Sequence, residues 1–178
     1  MKILFVSLGC DKNLVDSEVM LGLLAEKGYG FTDDEMEADV IVVNTCCFIG
    51  DAKEESVNTI LEMAEHKKDA KCKALIVTGC MAQRYKQEII DEIPEVDAYF
   101  GKFDWKGILE YLGKQYDDSV RNQRVLTTPS HYAYLKIAEG CNRTCSYCAI
   151  PLMTGKYKSR EMDEILEECR LLVRSGVK

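Results

Sequence analysis

Ala38-Asp39-Val40-Ile41-Val42-Val43-Asn44-Thr45-Cys46-Cys47 is the stretch on which the fold turns. Its centre is apolar at consecutive positions instead of alternate ones, which predicts a strand buried on both faces, as in parallel sheets covered by helices. The neighbouring segments agree. Lys2 to Leu8 is an apolar, β-rich run. Asp11 is placed to cap a helix whose apolar positions Val15, Val19, Met20, Leu23 and Leu24 share one face, with Gly28 as its stop. Tyr29 to Thr32 is a weak second strand, and a long helix is expected from about Ala52 to Glu65. Ala74 to Thr78 reads as a fourth strand, Gln83 to Ile93 as a helix, Asp97 to Phe100 as a short fifth strand and Trp105 to Leu112 as a closing helix. This alternation predicts an α/β domain over residues 1–113, Rossmann-like or flavodoxin-like, with a mainly parallel sheet.

Three cysteines fall at the same place on that outline. Cys10, Cys46 and Cys80 each follow the carboxyl end of a strand, in Ser7-Leu8-Gly9-Cys10, Asn44-Thr45-Cys46 and Thr78-Gly79-Cys80. Open parallel sheets bind ligands at that edge, where the strand order reverses. In a flavodoxin-like order the first, third and fourth strands are neighbours, so the three thiols converge on one metal site. A single such Cys is more simply a small buried side chain; three in one structural position point to metal. Gly9 and Gly79 are expected to let the backbone approach a bulky cluster. Cys46 is preferred over Cys47 as the ligand, although either can serve. Cys72, between Lys71 and Lys73, reads as an exposed loop residue, and Cys169 as a core position of the last helix.

A second set lies in Cys141-Asn142-Arg143-Thr144-Cys145-Ser146-Tyr147-Cys148, three thiols at C-x3-C-x2-C spacing after the apolar run Tyr132 to Ala138. The loop is short enough to aim all three at one small object, and a local motif that stops at three leaves one metal with an open position. The bland alternatives are a zinc set completed from elsewhere, or packing as small hydrophobes. The chain has nine Cys, an odd count, and Met1-Lys2-Ile3-Leu4-Phe5 passes straight into a strand pattern unlike a signal peptide. No apolar run approaches the roughly 20 residues needed to span a bilayer. A cytoplasmic chain with thiols committed to metal, not to disulfides, is expected. Net charge is −7, with residues 131–178 slightly basic, so the front carries the acid. That suits solubility, and a basic protein partner better than bare nucleic acid.

The loop, with Tyr147 before its last Cys and Ala149-Ile150-Pro151 after it, resembles the radical S-adenosylmethionine signature. In that family three Cys hold a 4Fe-4S cluster whose fourth iron chelates S-adenosylmethionine, which is cleaved to a deoxyadenosyl radical. Joined to Cys10, Cys46 and Cys80, the pattern is similar to the methylthiotransferases, which carry a second, auxiliary 4Fe-4S cluster for sulfur delivery. Ser7-Leu8-Gly9-Cys10-Asp11-Lys12-Asn13-Leu14-Val15-Asp16-Ser17-Glu18, Phe48-Ile49 and Ala52-Lys53-Glu54-Glu55-Ser56 resemble the branch that modifies an aspartate of small-ribosomal-subunit protein twelve. Three positions depart from that branch: Asp11 stands in place of proline, Cys47 of glycine and Thr154 of arginine.

The resemblance implies two 4Fe-4S clusters, ligated by Cys10, Cys46 and Cys80 and by Cys141, Cys145 and Cys148, with S-adenosylmethionine near Tyr147. It implies a ribosomal-protein substrate, an electron donor such as flavodoxin or ferredoxin, and no membrane. Residues 114–130 read as a polar linker. Residues 131–178 read as the first βα unit of a truncated partial TIM barrel, with Tyr132 to Ala138 as its strand and Met162 to Ser175 as its helix. Ile165, Leu166, Cys169, Leu172 and Val173 would share one face of that helix. The chain is therefore expected to be a fragment, inactive alone, whose tail docks on the front domain or stays mobile. Lys156, Lys158 and Arg160 are candidate contacts to cofactor or substrate. Two other functions fit the same residues: a tRNA methylthiotransferase, with nucleic acid as substrate, or a nonenzymatic zinc or iron-sulfur module.

Overall fold

β3 (Val40–Thr45) occupies the middle of the sheet, and every one of its residues is buried. The computed structural model describes residues 1–116 and 124–178. All pairings in the main sheet are parallel, in the order β2-β1-β3-β4-β5, with β1 at Lys2–Ser7, β2 at Gly30–Phe31, β4 at Ala74–Gly79 and β5 at Ala98–Tyr99. This is the expected flavodoxin-like order. The unbroken apolar run of β3 is explained by its two covered faces. Val40 and Val42 join a core with Ile3, Val19, Leu23, Leu24, Ile108 and Leu109, beneath α1 (Asp11–Glu26) and α5 (Trp105–Tyr111). Ile41 and Val43 join the opposite core with Leu75, Val77, Ile60, Met63 and Ile89, beneath α2 (Gly50–Asp69), α3 (Cys80–Arg84) and α4 (Lys86–Glu92). Each such side chain contributes about 1.5–3 kcal/mol on burial, so the two cores hold the sheet rigid.

Several elements differ from expectation for local reasons. Cys10, in extended backbone, occupies the cap position of α1; Asp11 is its first residue, and no side chain caps the helix. The helix expected over Gln83 to Ile93 begins at Cys80 and divides into α3 and α4 at Tyr85, whose backbone leaves the helical region at φ −121° and ψ 32°. Cys72 is buried, not exposed: its thiol donates to the Ala74 carbonyl at 3.3 Å and its side chain joins the core beneath α2. Of the linker expected over residues 114–130, residues 117–123 lie outside the described residues.

The tail forms β6 (Ala138–Glu139), α6 (Ile150–Thr154), β7 (Lys158–Ser159) and α7 (Met162–Arg174). Tyr132 to Ala138 is not a strand along its length. Its Tyr134 and Lys136 carbonyls accept from the guanidinium groups of Arg124 and Arg160, the Ile137 carbonyl accepts from the Arg160 amide at 3.0 Å, and the ladder with antiparallel β7 pairs Ala138 and Glu139. The expected apolar face of α7 is only half covered: Leu166 and Val173 are exposed, Cys169 is half-buried, and the buried residue is Glu168. Among the described residues no helix is long and apolar enough to cross a membrane.

Candidate metal centres

The sheet register aligns Ser7 with Asn44 and Asn44 with Thr78, so the chain leaves three adjacent strands along one row. Cys10, Cys46 and Cys80 follow immediately beyond that row, at the switch point between β1 and β3 and beside it. The exits are stitched together by side chains. The Asn13 amide donates to the Leu8 carbonyl at 2.6 Å and the Thr45 carbonyl at 3.3 Å, while the Asn44 amide donates to the Ser17 hydroxyl at 2.8 Å and the Asn13 carbonyl at 3.2 Å. Ser56, on α2, accepts from the Cys46 amide at 3.0 Å and donates to its carbonyl at 2.8 Å.

The two glycines serve closeness, though not first of all to a cluster. Gly9 has φ +96°, and a Cβ there would stand 2.7 Å from the Cys46 Cβ and 2.9 Å from its Sγ. A Cβ at Gly79, also φ +96°, would stand 2.3 Å from Asn44 Oδ1 and 2.5 Å from the Thr45 carbonyl. A side chain at either place would drive the thiol-bearing loops apart.

Cys10 is exposed, Cys46 and Cys80 are buried, and Cys80 sits close enough to Cys47, Cys46 and Cys10 for all three to disfavour its thiolate. Burial is the main cause that pushes the Cys80 thiol up, to about 12, with Lys102 opposing it. Among the described residues no three His, Cys, Asp or Glu side chains already stand around a common metal position. The arrangement nonetheless suits a soft metal: sulfur donors at one edge, a lysine cation nearby, and the positive end of α1 at Cys10. Cys47, fully buried, turns away into the core and meets the thioether of Met153 at 3.2 Å, which leaves Cys46 as the member of the pair beside Gly9.

The second thiol set is more open. Cys141 and Cys148 are half-buried, Cys145 is exposed, and Tyr147 is 90% exposed. The Cys148 amide donates to the Cys145 carbonyl at 3.1 Å, and the Cys141 amide to the Gly155 carbonyl at 3.1 Å, which closes the loop onto the end of α6. That short helix, unforeseen from sequence, docks on α3, and Ala149, Ile150 and Met153 join the core that also holds Cys47, Cys80 and Met81. The loop of one thiol set is thus anchored beside the other. Thr154 turns its hydroxyl back to the Ile150 carbonyl at 3.0 Å and lines, with Lys156, Lys158 and Arg160, a cleft of about 400 Å³ against α1.

A buried ionic group that the sequence did not disclose joins tail and front. The Arg124 side chain, 2% exposed, pairs with Glu18 of α1 and Glu168 of α7, and Arg160 also pairs with Glu168. Asp16, two residues earlier on α1, pairs with Lys102 and Lys136, and both lysines pair with Glu139. The sequence signal was polar: Asn13, Asp16 and Ser17 share one side of α1, Glu18 projects from another, and all four are buried.

Two family models match separate stretches of the chain. Residues 2–101 match Uncharacterized protein family UPF0004, and residues 135–178 match the Radical SAM superfamily. The ribosomal protein uS12 methylthiotransferase RimO of Lachnoclostridium phytofermentans is 56% identical over 191 residues, 100% of this chain and 43% of that protein. Proteins of the same name from Porphyromonas gingivalis and Bacteroides thetaiotaomicron are 54% and 56% identical over 175 residues, 97% of this chain and 40% of each. The chain therefore spans less than half the length of these curated relatives. By the match over its front domain, the chain belongs to Uncharacterized protein family UPF0004, joined here to a segment of the Radical SAM superfamily.

Proposed function

We propose that this chain supplies the auxiliary-cluster domain and the cluster-binding loop of a methylthiotransferase that modifies an aspartate of ribosomal protein uS12. Residues 1–113 form the first, residues 114–130 the connection, and residues 131–178 the loop with its supports. The observation that carries the reading is the docking of α6, which directly follows Cys148, against α3, which begins at Cys80. Two thiol sets more than fifty residues apart in sequence are held against one sheet edge. The activity named for the relatives favours a protein substrate over tRNA.

Cys10, Cys46 and Cys80 would hold one 4Fe-4S cluster, and Cys141, Cys145 and Cys148 the other. When bound, the second cluster with S-adenosylmethionine supplies radical chemistry, and the first supplies an iron at which sulfur is held. The chain's own residues do the positioning. Asn13, Asn44 and Ser56 fix the three strand exits, and Gly9 lets Cys46 approach Cys10. The exposed face at Cys145 and Tyr147 leaves room for a small molecule. An electron donor of the flavodoxin or ferredoxin kind, in the cytoplasm, is part of the proposal.

The test uses the full-length protein, reconstituted anaerobically, with a uS12 peptide and mass spectrometry. Cys10→Ala should abolish the methylthio product while S-adenosylmethionine is still cleaved, and Cys141→Ala should abolish both. A Cys10→Ala enzyme that still forms the product contradicts the assignment.

A further inference from the structure

Lys102 is a buried cation at the meeting point of the two thiol sets. Its side chain is 3% exposed, and its ammonium lies 3.4 Å from Asp16 on α1 and 3.3 Å from Glu139 on β6. Glu139 stands just before Gly140-Cys141, the opening of the second thiol loop. On its other side Lys102 follows Gly101, which leaves β5 alongside the exit of β4: the Thr78 hydroxyl donates to the Gly101 carbonyl at 3.3 Å, and Gln83 of α3 lies over Gly101. The Thr78-Gly79-Cys80 and Phe100-Gly101-Lys102 exits therefore run side by side. Burial works against the ammonium, yet Asp16, Cys80 and Glu139 together outweigh it and hold its pKa above the ordinary lysine value. A buried ion with this many opposite partners is costly to leave unpaired, so each partner is held to it.

We propose that Lys102 is a positioning residue that fixes the Glu139–Cys141 segment against the Cys80 edge of the sheet: Lys136 shares its Asp16 and Glu139 partners, but Lys102 is the one of the two that follows the β5 exit beside Cys80. The docking half of this stands on ion-pair geometry alone; the electrostatic half rests on Cys80 being a cluster ligand. A lysine next to a thiolate-bound cluster also favours the reduced, more negative state.

The experiment compares the chain of residues 1–178 with Lys102→Met and Lys102→Arg. Hydrogen exchange is followed in the metal-free protein at the Cys141 amide, which donates to the Gly155 carbonyl, and at Ile41 in the sheet. Lys102→Met should speed exchange at Cys141 at least tenfold with Ile41 still protected, and Lys102→Arg should restore protection. Unchanged Cys141 exchange in Lys102→Met overturns the docking role, as does failure of Lys102→Arg to rescue it. In the reconstituted chain carrying Cys141→Ala, Cys145→Ala and Cys148→Ala, the remaining cluster should reduce at a lower potential in Lys102→Met. An unchanged potential overturns the electrostatic half. Failure of that chain to bind iron would overturn the cluster reading itself, together with the electrostatic half, and leave the exchange result standing.

Discussion

Cys80, Cys72 and Cys47 share a property that their sequence contexts conceal: burial first of all raises the pKa of each thiol, that of Cys80 to about 12. A thiol that holds its proton more tightly in the folded chain than in the unfolded one favours folding below the ordinary thiol value near 9. That contribution is lost as pH rises from there through the folded value, on the order of 4 kcal/mol for Cys80 at full deprotonation. In the presence of chelator, the urea midpoint of the chain should therefore fall between pH 8 and pH 10, and Cys72→Ala should make the fall shallower. A midpoint that does not move over this interval would contradict the burial of these thiols. Cys72 also shows why exposure was misjudged from sequence. Flanking lysines signal a surface loop, but Lys73 and Lys71 extend outward toward solvent and Asp39 while the thiol between them turns in beneath α2.

At the scale of elements, the front domain was legible because its signals are local. Continuous apolar runs gave β3 and β4, a spaced apolar stripe gave α1, and turn residues gave the exits on which Cys10, Cys46 and Cys80 sit. Helix α6 was not legible: Ile150 to Thr154 is too short for a periodic signal, and it forms because Ala149, Ile150 and Met153 have a core to enter. The misread strand at Tyr132 to Ala138 fails for the complementary reason, since a strand needs a partner that its own sequence cannot announce. Met153 gives the test of α6. Met153→Ala removes a buried side chain whose loss costs about 2–5 kcal/mol in a rigid core, and here the helix should lift before the sheet yields. Cys47, which Met153 covers at 3.2 Å, should then be alkylated markedly faster while the far-ultraviolet spectrum is unchanged. Equal alkylation rates would mean that α6 does not rest on the front domain.

For the whole molecule, the decisive feature is the ionic seam in which Glu18 of the front domain meets Arg124 of the connection and Asp16 meets Lys136 of the tail, the two cations also pairing with Glu168 and Glu139. The sequence displayed these charges but not the pairing that joins front to tail, because Glu18 and Arg124 lie 106 residues apart and Asp16 and Lys136 120. Arg124→Met leaves Glu18 and Glu168 buried without their shared cation, a change that typically costs about 3–5 kcal/mol. It should expose the segment after residue 124 to limited proteolysis while the sheet stays folded; resistance equal to the parent chain would show that the seam does not hold the tail. Together this seam and α6 hold the second thiol loop beside the sheet edge that carries the first thiol set. The most direct measurement is iron and sulfide per chain after anaerobic reconstitution, in the parent, in the variant with Cys10, Cys46 and Cys80 changed to Ala, and in the variant with Cys141, Cys145 and Cys148 changed to Ala. About eight irons in the parent and about four in each variant, with matching sulfide, are the predicted result for two cuboidal clusters; zinc without sulfide, or a variant that keeps the full iron of the parent, would contradict it.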